Sequence, residues 1–590
     1  MLFLISCIGI SILSLLLAVG SYPLEMCKGY WETPLLVLLN MLPVLALGLL
    51  FYGLIGRTHW SFAITSVFVL GLSVANYFKI AFRDDPLMFG DLLLIREAGN
   101  MVGKYRPYWD TSMKLTALCV IVGFVALLLL ARGRPKKKLR LGLFLSGLVL
   151  LISLIPALLS ENVYTSTANY NYLESQWSPT QQYLAHGFVY PFVHSISNTV
   201  EKAPDGYHQK DAEAQLAQYT DADIPETEKV NIMGIMLEAY NDFTKCGTPE
   251  LATDVYAVWH QLEEEGYSGN LVTNIFGGGT IDTERCFLTG FSSLYEFRGN
   301  TNSYPWYFRQ QGYTVEGMHP CNDWFYNRVN VNGFLGFSQY YFMENYFSNL
   351  TEENVAMDDL FFSELLKQYQ TKTAEGKPYF NFSVTYQGHG PYTDYTCWWG
   401  DKGDFVLDDG TYTDQQQYIL DNYFGSIANT NKNLKMLTDY LRTDSEPVIL
   451  ILFGDHNPGL GDGNTLYELL GINLNQDTQE GFMNYYATRY IIWANDAAKQ
   501  LLDNDFQGTG PDISPCFLMN QVFYLCGWDG PAYMQAIRSV ALEVPVIHAS
   551  GRYVVNGTLV SDLPEDCQAL VDEYLNLQYY WRKHFAYGKE

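Results

Sequence analysis

Charge is scarce in this 590-residue chain, and basic charge is the scarcest: charged residues make up 17% of it, with 36 Lys+Arg against 63 Asp+Glu. Soluble domains usually carry about 25%, so a chain 48% hydrophobic and this poor in charge points to a part embedded in a membrane. The shortage is uneven. Residues 1–200 hold 14 Lys+Arg and 9 Asp+Glu, and the remainder holds 22 and 54. A nucleic-acid binder needs a basic surface, so the acidic remainder excludes that partner. Cysteine forms no pattern either: ten are scattered without CxxC or Cys/His zinc spacing. Seven of them (Cys246, Cys286, Cys321, Cys397, Cys516, Cys526 and Cys567) follow residue 200, so at least one cannot pair within that set. No internal repeat or low-complexity tract is present.

Long apolar runs, by contrast, are plentiful at the start. Five lie at about 2–20, 34–56, 60–80, 114–131 and 141–159, each near the roughly 20 residues that cross a bilayer. The first lacks a basic flank, which favours a retained span over a cleaved signal peptide. Between the fourth and fifth lies Arg132-Gly133-Arg134-Pro135-Lys136-Lys137-Lys138-Leu139-Arg140, which the positive-inside rule places in the cytoplasm. One more crossing carries everything after residue 160 outside. The loop from Arg83 to Lys114 is also basic, offset by Asp84, Asp85, Asp91, Glu97 and Asp110. Lys136 to Lys138 read as a topology signal rather than a lipid-headgroup site. Few ionisable groups lie within the spans, so no ion or proton path is evident.

At this length two or more domains are expected. The texture divides the chain into a transmembrane domain at 1–160, a polar linker at 161–228 that begins to wrap the next domain, a catalytic domain at 229–545 and a C-terminal subdomain at 546–590. From Val230 short apolar strands alternate with amphipathic helices, the pattern of an α/β domain.

Within that domain the organising stretch is Gly277-Gly278-Gly279-Thr280-Ile281-Asp282-Thr283-Glu284. It follows an apolar run, Leu271 to Phe276, that reads as a strand, and opens a segment, Ile281 to Leu288, that can be helical. Three glycines permit positive φ and close approach to a ligand, and the amides of a helix start face anions well. Alone, a glycine turn before a helix is a common connector, with Thr280 its cap. Three other stretches change the weighing. Val230 to Leu237 is an apolar strand ending at Glu238. Pro447 to Phe453 is another, ending in Gly454-Asp455-His456, and Tyr379 to Tyr386 leads into Gln387-Gly388-His389-Gly390. Each puts a carboxylate or imidazole past the carboxyl end of a strand, where open α/β sheets bind ligands. Singly, these are turn residues or helix caps. Together Glu238, Thr280, Asp455 and His456 form a four-ligand set for one divalent metal, whose mixed oxygen and nitrogen donors suit Mn²⁺, Mg²⁺ or Zn²⁺.

These motifs resemble those of the lipoteichoic acid synthase-like family, membrane phosphoglycerol transferases of the alkaline phosphatase/sulfatase superfamily. Leu237-Glu238-Ala239 resembles the family's metal-binding segment, and Gly454-Asp455-His456 its Gly-Asp-His metal motif. Gly278 to Glu284 resembles its Gly-x-Thr-x-x-x-Glu motif, where the Thr is nucleophile and metal ligand. His389 matches the substrate-binding histidine. Tyr326-Asn327-Arg328 stands where the family has Trp-Asn-Arg, with the Arg on the phosphate. Pro86-Leu87, Asp91 to Leu94, Gly187-Phe188 and Tyr490 to Asn495 extend the likeness to most of the chain. Tyr326 departs from the usual Trp, and Cys321 stands where polymerising members can have an acidic contact.

The resemblance implies five membrane helices followed by an extracellular alkaline-phosphatase-like α/β domain with a central, mostly parallel sheet. It further implies one divalent metal, Mn²⁺ first with Mg²⁺ or Zn²⁺ as alternatives. The implied chemistry is a two-step transfer. Thr280 attacks a phosphodiester, a lipid alcohol departs, and an acceptor hydroxyl attacks the phospho-threonine. His389 is placed to protonate the leaving oxygen or to orient the phosphate, and Arg328 to neutralise phosphoryl charge. With phosphatidylglycerol as donor, glycerol phosphate moves to a glycolipid or polymer acceptor of the envelope and diacylglycerol is released. The rivals are a phosphoethanolamine transferase, a phosphodiesterase or sulfatase-type hydrolase, and a non-enzymatic membrane sensor or transporter. A sulfatase needs Cys or Ser in Cys/Ser-x-Pro-x-Arg, and here Thr280 is followed by no such proline.

Overall fold

The structure is a computed structural model, and it describes residues 2–19, 28–83, 86–93, 109–167, 179–199 and 202–588. Asp84, Asp85, Leu94 and Glu97, and the linker stretches 168–178 and 200–201, lie outside the described residues. The chain divides into two compact units: Met1–Lys202 with Trp324–Asn330, and Ala203–Asp323 with Val331–Glu590.

Among the described residues, the first unit holds five apolar helices at the expected places: α1 (Leu2–Ala18), α2 (Pro34–Ile55), α3 (Thr58–Arg83), α4 (Thr111–Leu130) and α5 (Lys137–Leu158). Four of them, α2 to α5, are long and apolar enough to cross a membrane, whereas α1 has 17 residues. Two polar devices anchor α2. Arg140, the last of the basic cluster, donates from Nε to Gly53 O at 3.0 Å and also reaches Leu54 O, covering carbonyls that the end of α2 leaves unsatisfied. Buried Asn40 of α2 donates to His186 O at 2.9 Å and accepts from Phe188 N and Tyr190 N at 3.1 and 3.0 Å. This explains Gly187, since a Cβ there would lie 2.5 Å from the Asn40 amide.

The second unit is built on an eight-stranded sheet: β1 (Asn231–Leu237), β2 (Tyr267–Val272), β3 (Thr314–Met318), β4 (Gln339–Tyr341), β5 (Tyr379–Val384), β6 (Val448–Gly454), β7 (Ala487–Ala494) and β8 (Gly508–Thr509). Their spatial order is β4-β3-β5-β1-β6-β7-β2-β8. Only β7 opposes its neighbours; the rest run one way. A sheet covered on both faces needs strands apolar throughout, which is why β1 and β6 read as unbroken apolar runs. Alternate residues feed two cores. Ile232 and Met236 join Phe287, Phe382 and Phe453 on one face, while Met233, Ile235 and Leu237 join Trp259, Leu365 and Leu434 on the other.

Helices α6 (Ile281–Thr289), α7 (Asp358–Thr373), α8 (Asp414–Thr443), α9 (Pro515–Cys526), α10 (Arg538–Glu543) and α11 (Glu565–Lys583) belong to this unit. So does a small three-stranded sheet at Val546–Ile547, Tyr553–Val555 and Thr558–Val560. The segment after Ala203 lies against the unit, with Ala222 N donating to Gly530 O and Tyr307 Oη donating to Ala222 O. Cys246, Cys286, Cys397, Cys516, Cys526 and Cys567 carry free thiols.

One expected strand is displaced. The run Leu271 to Phe276 is extended only to Val272, and β2 starts four residues earlier, at Tyr267. The small residues Ser268 and Gly269 fit between β7 and β8, where a Cβ on Gly269 would meet Tyr490 at 2.7 Å. Phe276 packs in a loop, stacked on Tyr485 with centroids 4.1 Å apart.

Candidate active site

Strand direction decides which residues can meet. β1 lies between β5 and β6, all parallel, so the residues that follow them emerge at one edge. Glu238 follows β1, and Asp455 and His456 follow β6, with Leu237 paired to Gly454. Gly454 must be glycine, because a Cβ would stand 1.9 Å from Tyr240 O. Gly388, in the loop after β5, is held by the same constraint, since its Cβ would be 2.1 Å from Glu238 O.

Thr280 reaches this edge through the glycine turn. Gly277, Gly278 and Gly279 take φ of 65°, 141° and 89°, a left-handed run that only glycine adopts without strain. Thr280 then starts α6, but its side chain makes no cap hydrogen bond. Its hydroxyl instead donates to Glu238 Oε2 at 3.2 Å and lies 3.5 Å from His456 Nε2. Glu238, Asp455 and His456 bring one ligand atom each to within 4.8 Å of one another. None of the four residues is more than 5% exposed.

The donor set fits a divalent cation. Asp455 Oδ1 accepts from Ala239 N and His456 N at 2.7 and 2.8 Å, which pins the carboxylate. Its buried Oδ2 accepts no hydrogen bond and lies 3.2 Å from His456 Nε2. His456 Nδ1 is 3.0 Å from Asn457 O. A carbonyl only accepts, so Nδ1 carries the proton and the Nε2 lone pair faces the carboxylates, the arrangement of a ligating imidazole. A second acidic cluster shows the contrast. Asp242, His260 and Glu263 also group together, but Lys245 and Arg489 lie 3.3 and 2.6 Å from Glu263 and supply the positive charge there.

His389 follows Gly388 in the loop after β5. Its ring stacks on Tyr386 with centroids 5.1 Å apart and planes 11° apart, and Nδ1 is 2.5 Å from Gly390 O. Burial raises the Tyr386 hydroxyl above its ordinary pKa, with the Cys321 thiol and the Glu238 carboxylate adding to the rise. Tyr326, Asn327 and Arg328 belong to the first unit, and the four-residue cluster forms without them. Tyr326 and Asn327 both have φ of 56°, and the buried Arg328 places its guanidinium 5.3 Å from the centroid of the Tyr326 ring.

Two groups escaped the sequence reading. His319 follows β3 at the same sheet edge, 2% exposed, with Nδ1 3.1 Å from Val384 O; the strand-end rule that singled out His389 applies to it equally. Thr283 donates to Asp455 O at 2.7 Å, a contact that no pattern announces.

The Sulfatase family model matches residues 231–527. A relative described as a putative cyclic beta-1,2-glucan modification protein from Rhizobium meliloti (strain 1021) is 25% identical over 543 residues, covering 87% of this chain and 79% of that protein. Among solved structures, the Streptococcus pyogenes phosphoglycerol transferase GacH, in complex with sn-glycerol-1-phosphate, has a TM-score of 0.49 at 18% identity, over 64% of this chain and 94% of that one. The lipoteichoic acid synthase LtaP from Listeria monocytogenes has 0.44 at 16%, over 63% and 97%. With the family model spanning half of its length and covering all four residues of the cluster, this chain belongs to the sulfatase family.

Proposed function

We propose that the protein is a membrane-anchored phosphotransferase that moves glycerol phosphate from phosphatidylglycerol to a hydroxyl of an envelope glycan, through a phosphorylated Thr280. One observation carries the reading: a threonine hydroxyl, buried and free of any capping role, converges with two carboxylates and an imidazole at the carboxyl edge of the sheet. Glu238, Asp455, His456 and Thr280 would hold one divalent ion, with Mn²⁺ first and Mg²⁺ or Zn²⁺ as alternatives. Such an ion lowers the pKa of a bound hydroxyl and offsets phosphoryl charge.

The chain's own residues divide the remaining work. Thr280 Oγ attacks phosphorus and the bond to the diacylglycerol oxygen breaks, that oxygen taking a proton for which His389 is the candidate donor. The acceptor hydroxyl then attacks phosphorus and returns Thr280 Oγ. The apolar helices support the choice of donor, because an anchored domain works beside lipid. The printed name of the Rhizobium relative supports a glycan acceptor. Phosphoethanolamine transfer uses the same nucleophile and differs only in the donor head group.

The test is to incubate the protein in nanodiscs with labelled phosphatidylglycerol or phosphatidylethanolamine and each metal in turn. Diacylglycerol from the first lipid only is the expected outcome; its formation only from the second would change the donor, and from neither would reject the reading. Cysteine labelling on intact cells at Lys137 and Gln209 tests the orientation, with Gln209 alone expected to react from outside.

A further inference from the structure

The contacts of Thr280 itself hold its hydroxyl loosely. Glu238 Oε2 and His456 Nε2 stand at 3.2 and 3.5 Å, longer than the roughly 2.7–2.8 Å typical of a hydroxyl donor. The side chain makes no cap hydrogen bond. The backbone before it is three glycines with φ of 65°, 141° and 89°, the most permissive stretch a chain can have. The place of the hydroxyl therefore depends on what brackets this turn.

Two hydrogen bonds bracket it, and both end on the segment after β6 that carries Asp455 and His456. On the N-terminal side Gly277 N donates to Asn457 O at 2.9 Å. On the C-terminal side Thr283 Oγ donates to Asp455 O at 2.7 Å, with both residues fully buried. Asp455 N in turn donates to Leu237 O at 3.2 Å, so that segment is tied to β1 directly before Glu238. Only one of the two brackets is made by a side chain. A threonine inside a helix ordinarily returns its hydroxyl to a carbonyl three or four residues back. Thr289 does so on the same helix, donating to Arg285 O at 2.7 Å. Thr283 sends its hydroxyl out of the helix instead, to the carbonyl of a residue in the four-residue cluster.

We infer that Thr283 is a positioning residue: it bolts the first turn of α6 to the Asp455 carbonyl, so that Thr280 Oγ stays against Glu238 and His456 while it reacts. Thr283 lies about one helical turn from Thr280, so a shift of one carries the other. Attack needs the reacting atoms within about 3–3.5 Å and aligned, and a displacement of about 1 Å can cost on the order of 100-fold in rate. A glycine turn offers little resistance to such a displacement, whereas a bond joining the nucleophile's helix to Asp455 opposes it. Metal binding depends less on the bolt, because Asp455 Oδ1 is pinned separately by Ala239 N and His456 N. The inference rests on Thr280 being the nucleophile, and the experiment tells the failure of that reading from the failure of the bolt.

Thr283→Val, which puts a methyl group in place of the hydroxyl, is compared in nanodiscs with Thr283→Ser and with Thr289→Val, a matched loss of a buried hydroxyl bond on the same helix. Each is assayed with Mn²⁺ on labelled phosphatidylglycerol and on bis(p-nitrophenyl) phosphate, a chromogenic diester. Thr283→Val lowers kcat roughly 10- to 100-fold with KM unchanged, the pattern of positioning lost in the transition state, and phosphorylated enzyme forms correspondingly more slowly. The Mn²⁺-induced rise in melting temperature persists. Thr283→Ser restores most of kcat, and Thr289→Val keeps wild-type kcat whatever it loses in melting temperature. Thr283→Cys, with its weak donor, shows the same split to a smaller degree and stands in where the valine variant does not fold. Wild-type kcat in the folded Thr283→Val or Thr283→Cys protein overturns the inference. So do equal falls in kcat for both valine variants, or loss of the Mn²⁺ response together with kcat. Cleavage of the diester but not of phosphatidylglycerol by the wild type rejects the lipid donor and leaves this test to be read on the diester; cleavage of neither removes the nucleophile, and the inference with it.

Discussion

Thr280→Ala is the most informative perturbation, because the structure separates its effect on stability from its effect on chemistry. The hydroxyl donates to Glu238 Oε2 at 3.2 Å in a site about 5% exposed. A hydrogen bond to a charged acceptor contributes about 1.5–3 kcal/mol, and the lost methyl group about 1 kcal/mol of burial. The helix loses no cap, since the side chain makes none. The variant should therefore fold, with a melting temperature lowered by a few degrees. Chemistry should respond far more. The nearest hydroxyl in sequence on α6, Thr283, is committed to Asp455 O at 2.7 Å and cannot substitute. Diacylglycerol release from labelled phosphatidylglycerol should fall by at least about 10³-fold, and the phosphorylated-enzyme mass adduct should vanish. Thr280→Ser, which keeps the oxygen, should retain both. Wild-type release by a folded Thr280→Ala protein would refute the covalent reasoning.

Asp455→Asn keeps the Oδ1 acceptor for the Ala239 and His456 amides but loses the anionic Oδ2. Thermal scans with and without Mn²⁺ should show a metal-induced gain in the wild type, about 4 kcal/mol at a thousandfold excess over Kd, and little in the variant; an equal gain in both would remove Asp455 from the ligand set. Gly388→Ala should displace Glu238, whose carbonyl lies 2.1 Å from the new Cβ, costing about 1–3 kcal/mol and most of the metal response; a variant matching wild type in both would contradict the packing. Asp358, at the start of α7, has its carboxyl pushed up by burial to about 7. The folded state thus binds a proton that the unfolded state releases near pH 4, so its stabilisation is complete below that pH and is lost as pH rises to about 7. Denaturant titrations across that window should show a falling component that Asp358→Asn removes, whereas an unchanged slope would disprove the assignment.

Much of the site was legible in the sequence because its elements are local. Unbroken apolar runs ending in Glu238 and in Asp455-His456 read as strands covered on both faces, and a covered parallel sheet presents its carboxyl ends together. The glycine run before Thr280 announces a left-handed turn, since no other residue tolerates three such φ values in succession. Four of the five apolar runs are helices long and apolar enough to cross a membrane, a length set by bilayer thickness alone.

What needed the tertiary structure is whatever depends on register or on distant neighbours. That Thr280 bonds to Glu238, 42 residues away in the chain, rather than capping α6 is set by where β2 and β1 stand in the sheet. The strand β2 itself was misplaced by four residues because its polar, small beginning is selected by β7 and β8 packing against it, not by its own hydrophobicity. The two acidic clusters look alike as residue types, and only folding shows that Lys245 and Arg489 neutralise one. Side-chain chemistry is written in the chain, but charge balance is a property of three-dimensional neighbourhoods, and no spacing in the sequence records it.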